Sequence, residues 1–470
     1  MRLPMAVLIC AAAASLPAWS SELKVELLTA QVTRANSPAL RIRVSWNNSW
    51  RNERNHDAAW VVLGYRKPAG LWRPALLQSA AGQEAVIDIP SDHAGAFLYP
   101  RKAHRGSVDW TLELRVDPSS LTEVTAEEQV EWAVFGVEMV YIPEGAFWVG
   151  DRDPKAIEMN AFYRSDAAGN PAGLFQIESE REIQVGAREG ALSYRVTDPI
   201  YQGDGRGPIP EEFPKGFRAF YLMKYELTQG QYAEFLNHIS TQATYFRAIH
   251  GGLDYQANRG TIDVKDGRFI ASAPARPANF VSWNDGLAFA AWARLRPVTE
   301  FEYTKASRGP GEPVSSDYPW GTASKAHLQR LIVAPNDDLI SPEEATLTDA
   351  TREIFGASYY WVMDLTGSVW ERVVTPAAAA GRAFCGTHGN GRLTGFGSAT
   401  NADWPQGDEA PGGYGYRGGG YYSHGFNAGE LNPHSRTEWR RFGAWGQGPR
   451  SVAYGFRAAR TAPIPEIHVP

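Results

Sequence analysis

The chain has 470 residues, among them 46 glycines, 31 prolines, 16 tryptophans and 20 tyrosines, and a formal net charge of -6. That length exceeds one ordinary domain, and so many turn-forming and aromatic residues argue for irregular, loop-rich packing and against a helical bundle. The acidic balance, with no run of lysines and arginines, excludes nucleic acid as a partner class.

Met1-Arg2, the apolar run Leu3 to Leu16 and the small residues around Ala18 to Ser20 predict a secretory signal peptide over residues 1–20, and with it an exported, periplasmic or extracellular protein. No other run is long and apolar enough to span a bilayer, so the protein is not expected to be membrane-spanning. Cys10 would leave with the leader, which makes Cys385 the one thiol of the mature chain and rules out an intramolecular disulfide. Cys10 also lacks the small residues that precede a lipidated cysteine.

From residue 21 to 135 the hydrophobic period is two. Leu40 to Trp46 and Val108 to Val116 alternate apolar with polar side chains, which puts one face in a core and the other in water. Shorter runs at Leu23 to Leu28, Trp60 to Tyr65 and Ala85 to Ile89 fit further strands, so this part is expected to be a small all-β, Ig-like sandwich. A second domain is expected over 136–462, opening with two strands around Pro143-Glu144-Gly145. Residues 151–217 have little periodicity and predict a long surface insertion. Thr228 with Gln231, Ser282 with Asp285, and Thr299 with Glu302 are capping-box signatures for three short amphipathic helices, the last stopped by Gly309. Residues 463–470 form a tail.

Near the C-terminus, Tyr416-Arg417-Gly418-Gly419-Gly420 is an Arg-Gly-Gly turn entered from a strand, where glycine permits close backbone approach. An irregular polar segment follows, then Gly455-Phe456-Arg457. Taken in order, Glu138 to Gly150, Phe220 to Leu236, Arg276 to Trp292, Arg296 to Gly309, Tyr318 to Gly321, Asp364 to Glu371, Arg417 to Gly420 and Gly455 to Arg457 resemble the formylglycine-generating enzyme family, also called the sulfatase-modifying-factor domain. The resemblance covers about Gly136 to Arg460. It implies an α+β, C-type-lectin-like fold with low regular secondary structure.

The resemblance also implies structural calcium. Asp364-Leu365-Thr366-Gly367-Ser368-Val369-Trp370-Glu371 matches a family calcium loop, in which Asp364 and Glu371 would give carboxylates and Gly367 and Val369 backbone carbonyls. Calcium takes six to eight hard oxygens in a flexible cage, which suits two acids spaced by a tight turn. A second family site would begin at Asn336, with Asp349 as its acid, although the spacing there is not clean.

Formylglycine-making members oxidise a substrate cysteine with O₂ on copper(I) held by two thiolates, and soft thiolates are what select copper(I). Counted from the Arg-Gly-Gly turn, those two positions are Ser423 and Ala428, so copper is not expected and formylglycine-generating oxidase activity is not supported. A sulfur-transfer branch with histidine-bound iron uses a helical N-terminal histidine motif that this chain lacks. An exported branch that matures siderophore chromophores also lacks the cysteine pair and remains open. Other members use the fold for binding, through a terminal segment loosely similar to the one here. That segment holds Arg417, Tyr421, Tyr422, Ser423, His424, Asn427, His434, Arg436, Trp439 and Trp445, the arginine-and-aromatic composition of binding surfaces. No catalytic residue is assigned: Ser423-His424 has neither a nucleophile elbow nor a third group. The reading is a calcium-stabilised binding or scaffold module for a protein, peptide or glycan ligand. The alternative is a non-canonical oxidoreductase of the same family acting on a periplasmic protein or small molecule.

Overall fold

The computed structural model describes residues 22–31, 38–122, 124–125, 128–328, 346–407, 412–421 and 433–463. The expected leader and C-terminal tail lie outside them, apart from residue 463. Among the described residues, no helix is long and apolar enough to cross a membrane.

The first strands are β1 (Lys24–Gln31), β2 (Ala39–Arg51), β3 (Asp57–Arg66), β4 (Arg73–Ala75), β5 (Leu77–Ala81), β6 (Ala85–Asp88), β7 (Ala96–Pro100), β8 (His104–Val116) and β9 (Glu131–Ile142). Four of them make one sheet in the order β1-β2-β8-β5. The alternation in β2 and β8 does what the sequence predicts. Leu40, Ile42, Val44 and Trp46 face Leu114, Leu112, Trp110 and Val108 across an antiparallel register, all of them buried. Trp46 and Trp110 meet edge to face, with ring centroids 5.1 Å apart.

β3 does not alternate. It reads Asp-Ala-Ala-Trp-Val-Val-Leu-Gly-Tyr-Arg, a nearly continuous apolar run of the kind that belongs to a strand covered on both faces. Ala59, Val61, Leu63 and Tyr65 join the core shared with the first sheet, whereas Ala58, Trp60 and Val62 join the large core on the other side. β3 is therefore a wall between two cores.

The remainder extends that wall. After β10 (Phe147–Val149) come the short elements of the insertion: α1 (Pro154–Glu158), β11 (Tyr163–Arg164), β12 (Phe175–Ile177), β13 (Leu192–Ser193) and α2 (Pro199–Gln202). Its surface is only part of it, because Phe162, Leu192, Ile209 and Phe213 are buried in the large core. Lys215 anchors its end, donating to the carbonyls of Glu180, Pro210, Glu211 and Phe213. Then follow β14 (Phe220–Met223), α3 (Gln229–Asn237), α4 (Thr241–Arg247), α5 (Leu253–Ala257), the hairpin β15 (Ile262–Lys265) and β16 (Arg268–Ala271), α6 (Trp283–Trp292), β17 (Arg296–Pro297) and α7 (Glu300–Arg308). The chain closes with β18 (Trp370–Val374), β19 (Tyr414–Arg417), β20 (Tyr454–Gly455) and β21 (Ala458–Thr461). An eight-stranded sheet runs β17-β21-β14-β9-β3-β7-β6, with β4 added beside β3. Mixed sheets and short helices around common cores make an α+β fold.

β9 passes without interruption through the expected division at 135/136. It pairs with β3 from Glu131 to Val140 and with β14 from Met139 to Ile142, so one sheet joins the N-terminal strands to the second module. A buried ion cluster fixes that junction. Lys224 Nζ lies 2.9 Å from Asp57 Oδ2 and 3.3 Å from Glu138 Oε2. Asp57 also accepts from Trp46 Nε1 (3.2 Å), Ser49 Oγ (2.9 Å) and the Trp50 amide (2.9 Å) of the first sheet.

All three capping boxes form, at Thr228/Gln231, Ser282/Asp285 and Thr299/Glu302. The amphipathic reading fails for α7, whose nine residues are all buried. Its charged positions are each met by a partner: Glu302 by Arg296, Arg308 by Asp317, and Lys305 by the carbonyls of Gly216 and Phe217. Paired charges look like a solvent face in the sequence, because pairing between distant segments is invisible there.

Candidate functional site

The segment from Arg417 onward is held by the three-stranded sheet β19-β18-β20, in which β18 pairs antiparallel with β19 and parallel with β20. Arg417 ends β19 and is wholly inside. Its Nη1 reaches Glu300 Oε1 at 3.1 Å, its Nη2 donates to Thr304 Oγ1 at 3.2 Å, and it also holds the Thr437 carbonyl. Arg440 takes the same carboxylate from the other side, with Nε at 3.0 Å and Nη2 at 2.7 Å. Burial alone would raise the Glu300 pKa, but Arg440 and Arg417 outweigh it and hold it low. Arg417 is thus a positioning residue under the site and not a surface of it.

Gly418 and Gly419 have φ of +84° and +69°. A Cβ at Gly418 would sit 3.0 Å from Tyr303 Oη and 3.1 Å from the Leu365 carbonyl, so this turn requires glycine twice over, for conformation and for space. The Gly367 amide donates to the Gly418 carbonyl (2.9 Å) and the Tyr421 amide to the Ser368 carbonyl (2.7 Å), which stitches the turn to the 364–371 loop.

That loop carries an electrostatic imbalance. Glu371 is buried and accepts from Arg457 through both oxygens, with Arg457 Nη2 at 2.6 Å. Asp364 lies beside them with φ +56°, its carboxyl pushed up to about 6 by burial, with Glu371 adding to the rise and Arg457 opposing it. Glu226 reaches in from the β14–α3 connection. Its Oε1 accepts from the Val369 amide at 3.0 Å. Among the described residues its Oε2 has no hydrogen bond, nor has the Ser368 hydroxyl, although Ser368 is near enough to oppose the rise of the Glu226 pKa. Burial first, then the charges of Glu371 and Asp364, push Glu226 well above the ordinary carboxylate range. Three acids therefore share one guanidinium. No three His, Cys, Asp or Glu side chains converge as metal ligands among the described residues.

Of the other expected ligand-facing residues, Tyr421, His434 and Trp445 come together around Trp370. Tyr421, half-buried, donates its hydroxyl to the Val452 carbonyl (2.9 Å) and has Arg259 over its ring at 4.5 Å. His434 is 1% exposed and lies 5.1 Å from the Trp370 ring and 5.2 Å from Phe442. Burial, aided by Arg441, pushes its pKa down to about 3, so it is neutral and cannot serve as an ordinary surface base. Trp445 packs on Tyr416 at 5.4 Å. Arg436 and Trp439 belong to a separate group: the guanidinium sits between Tyr318 and Trp439 and donates to the Ser316 carbonyl (2.8 Å), while Trp439 Nε1 is buried with no hydrogen-bond partner among the described residues. Tyr422, Ser423, His424, Asn427 and Ala428 lie outside the described residues, as does Asn336. Asp349, the acid expected beside Asn336, is held by Arg54 through both oxygens, at 3.0 and 2.6 Å.

Glu226 and Glu300 were not among the residues the sequence singled out. For Glu226 a signal existed: an acid between Tyr225 and Leu227, at the end of an apolar strand and just before a capping box, has no solvent face to occupy.

A family model described as a sulfatase-modifying factor enzyme 1-like domain matches residues 129–462. A formylglycine-generating enzyme from Thermomonospora curvata is 32% identical over 108 residues, covering 22% of this chain and 35% of that protein. One from Bos taurus is 23% identical over 209 residues, covering 39% of this chain and 54% of that protein. The chain thus spans less than two thirds of the length of either relative.

Proposed function

Because the chain belongs to the formylglycine-generating enzyme (sulfatase-modifying factor) family, we propose that it is an exported member that has given up the copper-thiolate reaction and works as a calcium-stabilised binding or scaffold module. The observation that carries this reading is the pair Ser423 and Ala428 at the two thiolate positions. Neither side chain can form a thiolate, and the cysteine left beyond the expected leader, Cys385, lies exposed in the connection between β18 and β19. One thiol cannot make a two-thiolate copper(I) site.

The C-type-lectin-like arrangement implied by the family suits such a role, because a stable frame presents one irregular segment. Here the frame is the Glu300 pairing beneath Arg417 and the stitched Arg-Gly-Gly turn. Asp364 and Glu371, with the carbonyls of Gly367 and Val369, would hold a calcium ion, and the open Glu226 oxygen beside them supports that fit. When bound, the ion would neutralise the surplus acid charge of the loop and stiffen the turn. The ligand side would be built from Tyr421, Trp445 and the residues that follow Tyr421, and would take a peptide, protein or glycan. The N-terminal sheets, Ig-like in size and alternation, would be part of the same frame.

The test is oxygen consumption by the copper-loaded protein with a cysteine-containing peptide, alongside elemental analysis. The reading expects calcium in the purified protein and no copper-dependent turnover above the peptide's own oxidation. Copper-dependent conversion of the peptide cysteine would overturn it.

A further inference from the structure

The hairpin of β10 and β12 carries a tryptophan on the side away from the core. The two strands pair antiparallel, with Phe147 opposite Ile177, Trp148 opposite Gln176 and Val149 opposite Phe175. Side chains alternate between the two faces of such a pair. Phe147, Val149 and Ile177 are buried in the large core, and Phe175 packs against it. Trp148 and Gln176 therefore point the other way, and each is only partly buried. A tryptophan on the wet side of a two-stranded ribbon has no core to fill.

That face lines an open groove of about 660 Å³, within the range of ligand sites, roughly 300–1,000 Å³. Leu174 and Glu178, two positions to either side of Gln176, line it too, and Arg164 of β11 and the ion pair of Arg152 with Glu312 complete it. None of its residues belongs to the Arg417–Trp445 segment, so this is a separate place on the molecule. Among the described residues, no other ring and no cation lies over the Trp148 indole, and the side chains of Gln176 and Glu178 hold no hydrogen bond or ion pair. Arg164 is exposed and steadied by one bond, from Nη2 to the Ala172 carbonyl (3.0 Å). The wall is low at Gly190, where a Cβ would meet nothing within 4 Å. The charges also balance. Arg152 and Glu312 answer each other, and Arg164 and Glu178 are one of each sign, so the groove favours neither an anion nor a cation.

We propose that this groove binds a neutral saccharide of β-linked glucopyranose units, with one sugar ring stacked on Trp148 and its hydroxyls held by Gln176, Glu178 and Arg164. A pyranose whose hydroxyls are all equatorial turns axial C–H bonds to both faces. That weakly positive, apolar surface matches the negative face of an aromatic ring. Each sugar hydroxyl both donates and accepts; the Gln176 amide can answer in both senses, the Glu178 carboxylate accepts and the Arg164 guanidinium donates. Planar groups with paired polar atoms can hold two neighbouring hydroxyls at once.

The experiment is saturation-transfer NMR titration of the full chain with cellobiose and with digalacturonate, repeated on Trp148→Ala and Glu178→Ala variants whose folds are checked by circular dichroism. Cellobiose should bind saturably, with the strongest transfer to its axial ring protons. Trp148→Ala should weaken it about tenfold and Glu178→Ala about threefold. Glu178 is exposed, so its variant tests the groove even where loss of Trp148 disturbs the hairpin. Each of four results would overturn the proposal. Absence of saturable cellobiose binding removes the site. Unchanged affinity in either folded variant places the binding elsewhere, the segment after Tyr421 included. Transfer strongest at the hydroxymethyl protons removes the stacking on Trp148. Tighter binding of digalacturonate replaces the neutral sugar with an acidic one.

Discussion

Replacing Lys224 tests whether the N-terminal strands and the second module are one structural unit. The side chain is 3% exposed and its ammonium is shared by Asp57 on β3 and Glu138 on β9, which are 1% and 8% exposed. In Lys224→Met the volume is nearly kept, but two carboxylates lose the cation between them. Breaking a buried ion pair by removing one partner costs about 3–5 kcal/mol. Asp57 keeps its donors from Trp46, Ser49 and Trp50, so the lower part of that range is expected, about 3 kcal/mol. Adding Glu138→Gln removes one of the stranded charges and should recover on the order of 1–2 kcal/mol. The assay is guanidinium unfolding followed by tryptophan fluorescence and far-ultraviolet circular dichroism. Since β9 pairs with both β3 and β14, the two signals should shift together. A loss below about 1 kcal/mol, or two separated transitions of which only one moves, would refute the reasoning.

Calcium removal should lower the melting temperature of the wild-type protein, and Glu371→Gln should abolish that sensitivity. As a calcium ligand Asp364 would act as the carboxylate, and burial pushes its carboxyl up to about 6, so under the proposed function calcium binding should release protons and its affinity should fall as pH drops through 6; a pH-independent affinity would contradict this. His56 and His434 are both buried and pushed down to about 3 from an ordinary 6.5, in each case chiefly by burial. Between those values the unfolded chain holds protons that the folded chain does not, so stability rises with pH across the window and is lost on acidification, by about 1.4 kcal/mol per pH unit for each histidine. Unfolding free energies measured at pH 7 and pH 5 should therefore converge in the double variant His56→Gln/His434→Gln, and an unaltered pH slope would count against the neutral assignment. Gly418→Ala combines a positive φ with a close approach to Tyr303 and should cost about 1–3 kcal/mol in thermal denaturation; an alanine tolerated within 0.5 kcal/mol would mean the turn is looser than described.

Local signals were legible in the sequence, and long-range ones were not. The alternation in β2 and β8, the three capping boxes and the close backbone approach at Gly418 all follow from residues within a few positions of one another. The run in β3 was visible as a strand, but its continuous apolar character, covered on both faces, went unused. So did the consequence that it must separate two cores. Charge pairing was the larger blind spot. Glu300, Arg308 and Lys305 look like the wet side of a helix until Arg417, Arg440, Asp317 and the carbonyls of Gly216 and Phe217 are placed against them. The same blindness made Arg417 and His434 look like ligand contacts, when one is an internal anchor and the other a neutral core residue. The 364–371 loop was singled out by its two acids, whereas Glu226, some 140 positions earlier, needed the fold to bring it to the Val369 amide.

The shared strand β9 also bears on how such a chain could have arisen. Recombination moves segments cleanly when their ends fall in loops and few contacts cross the join. Here the join is the middle of a sheet, so excising the N-terminal strands would bare one edge of β9 and the apolar side chains of the large core that pack on Ala58, Trp60 and Phe97. An exposed edge of that length invites pairing with other chains. The N-terminal part is therefore no cassette that lineages could gain or lose in one step: its acquisition and the reshaping of the β9 edge have to be inherited together.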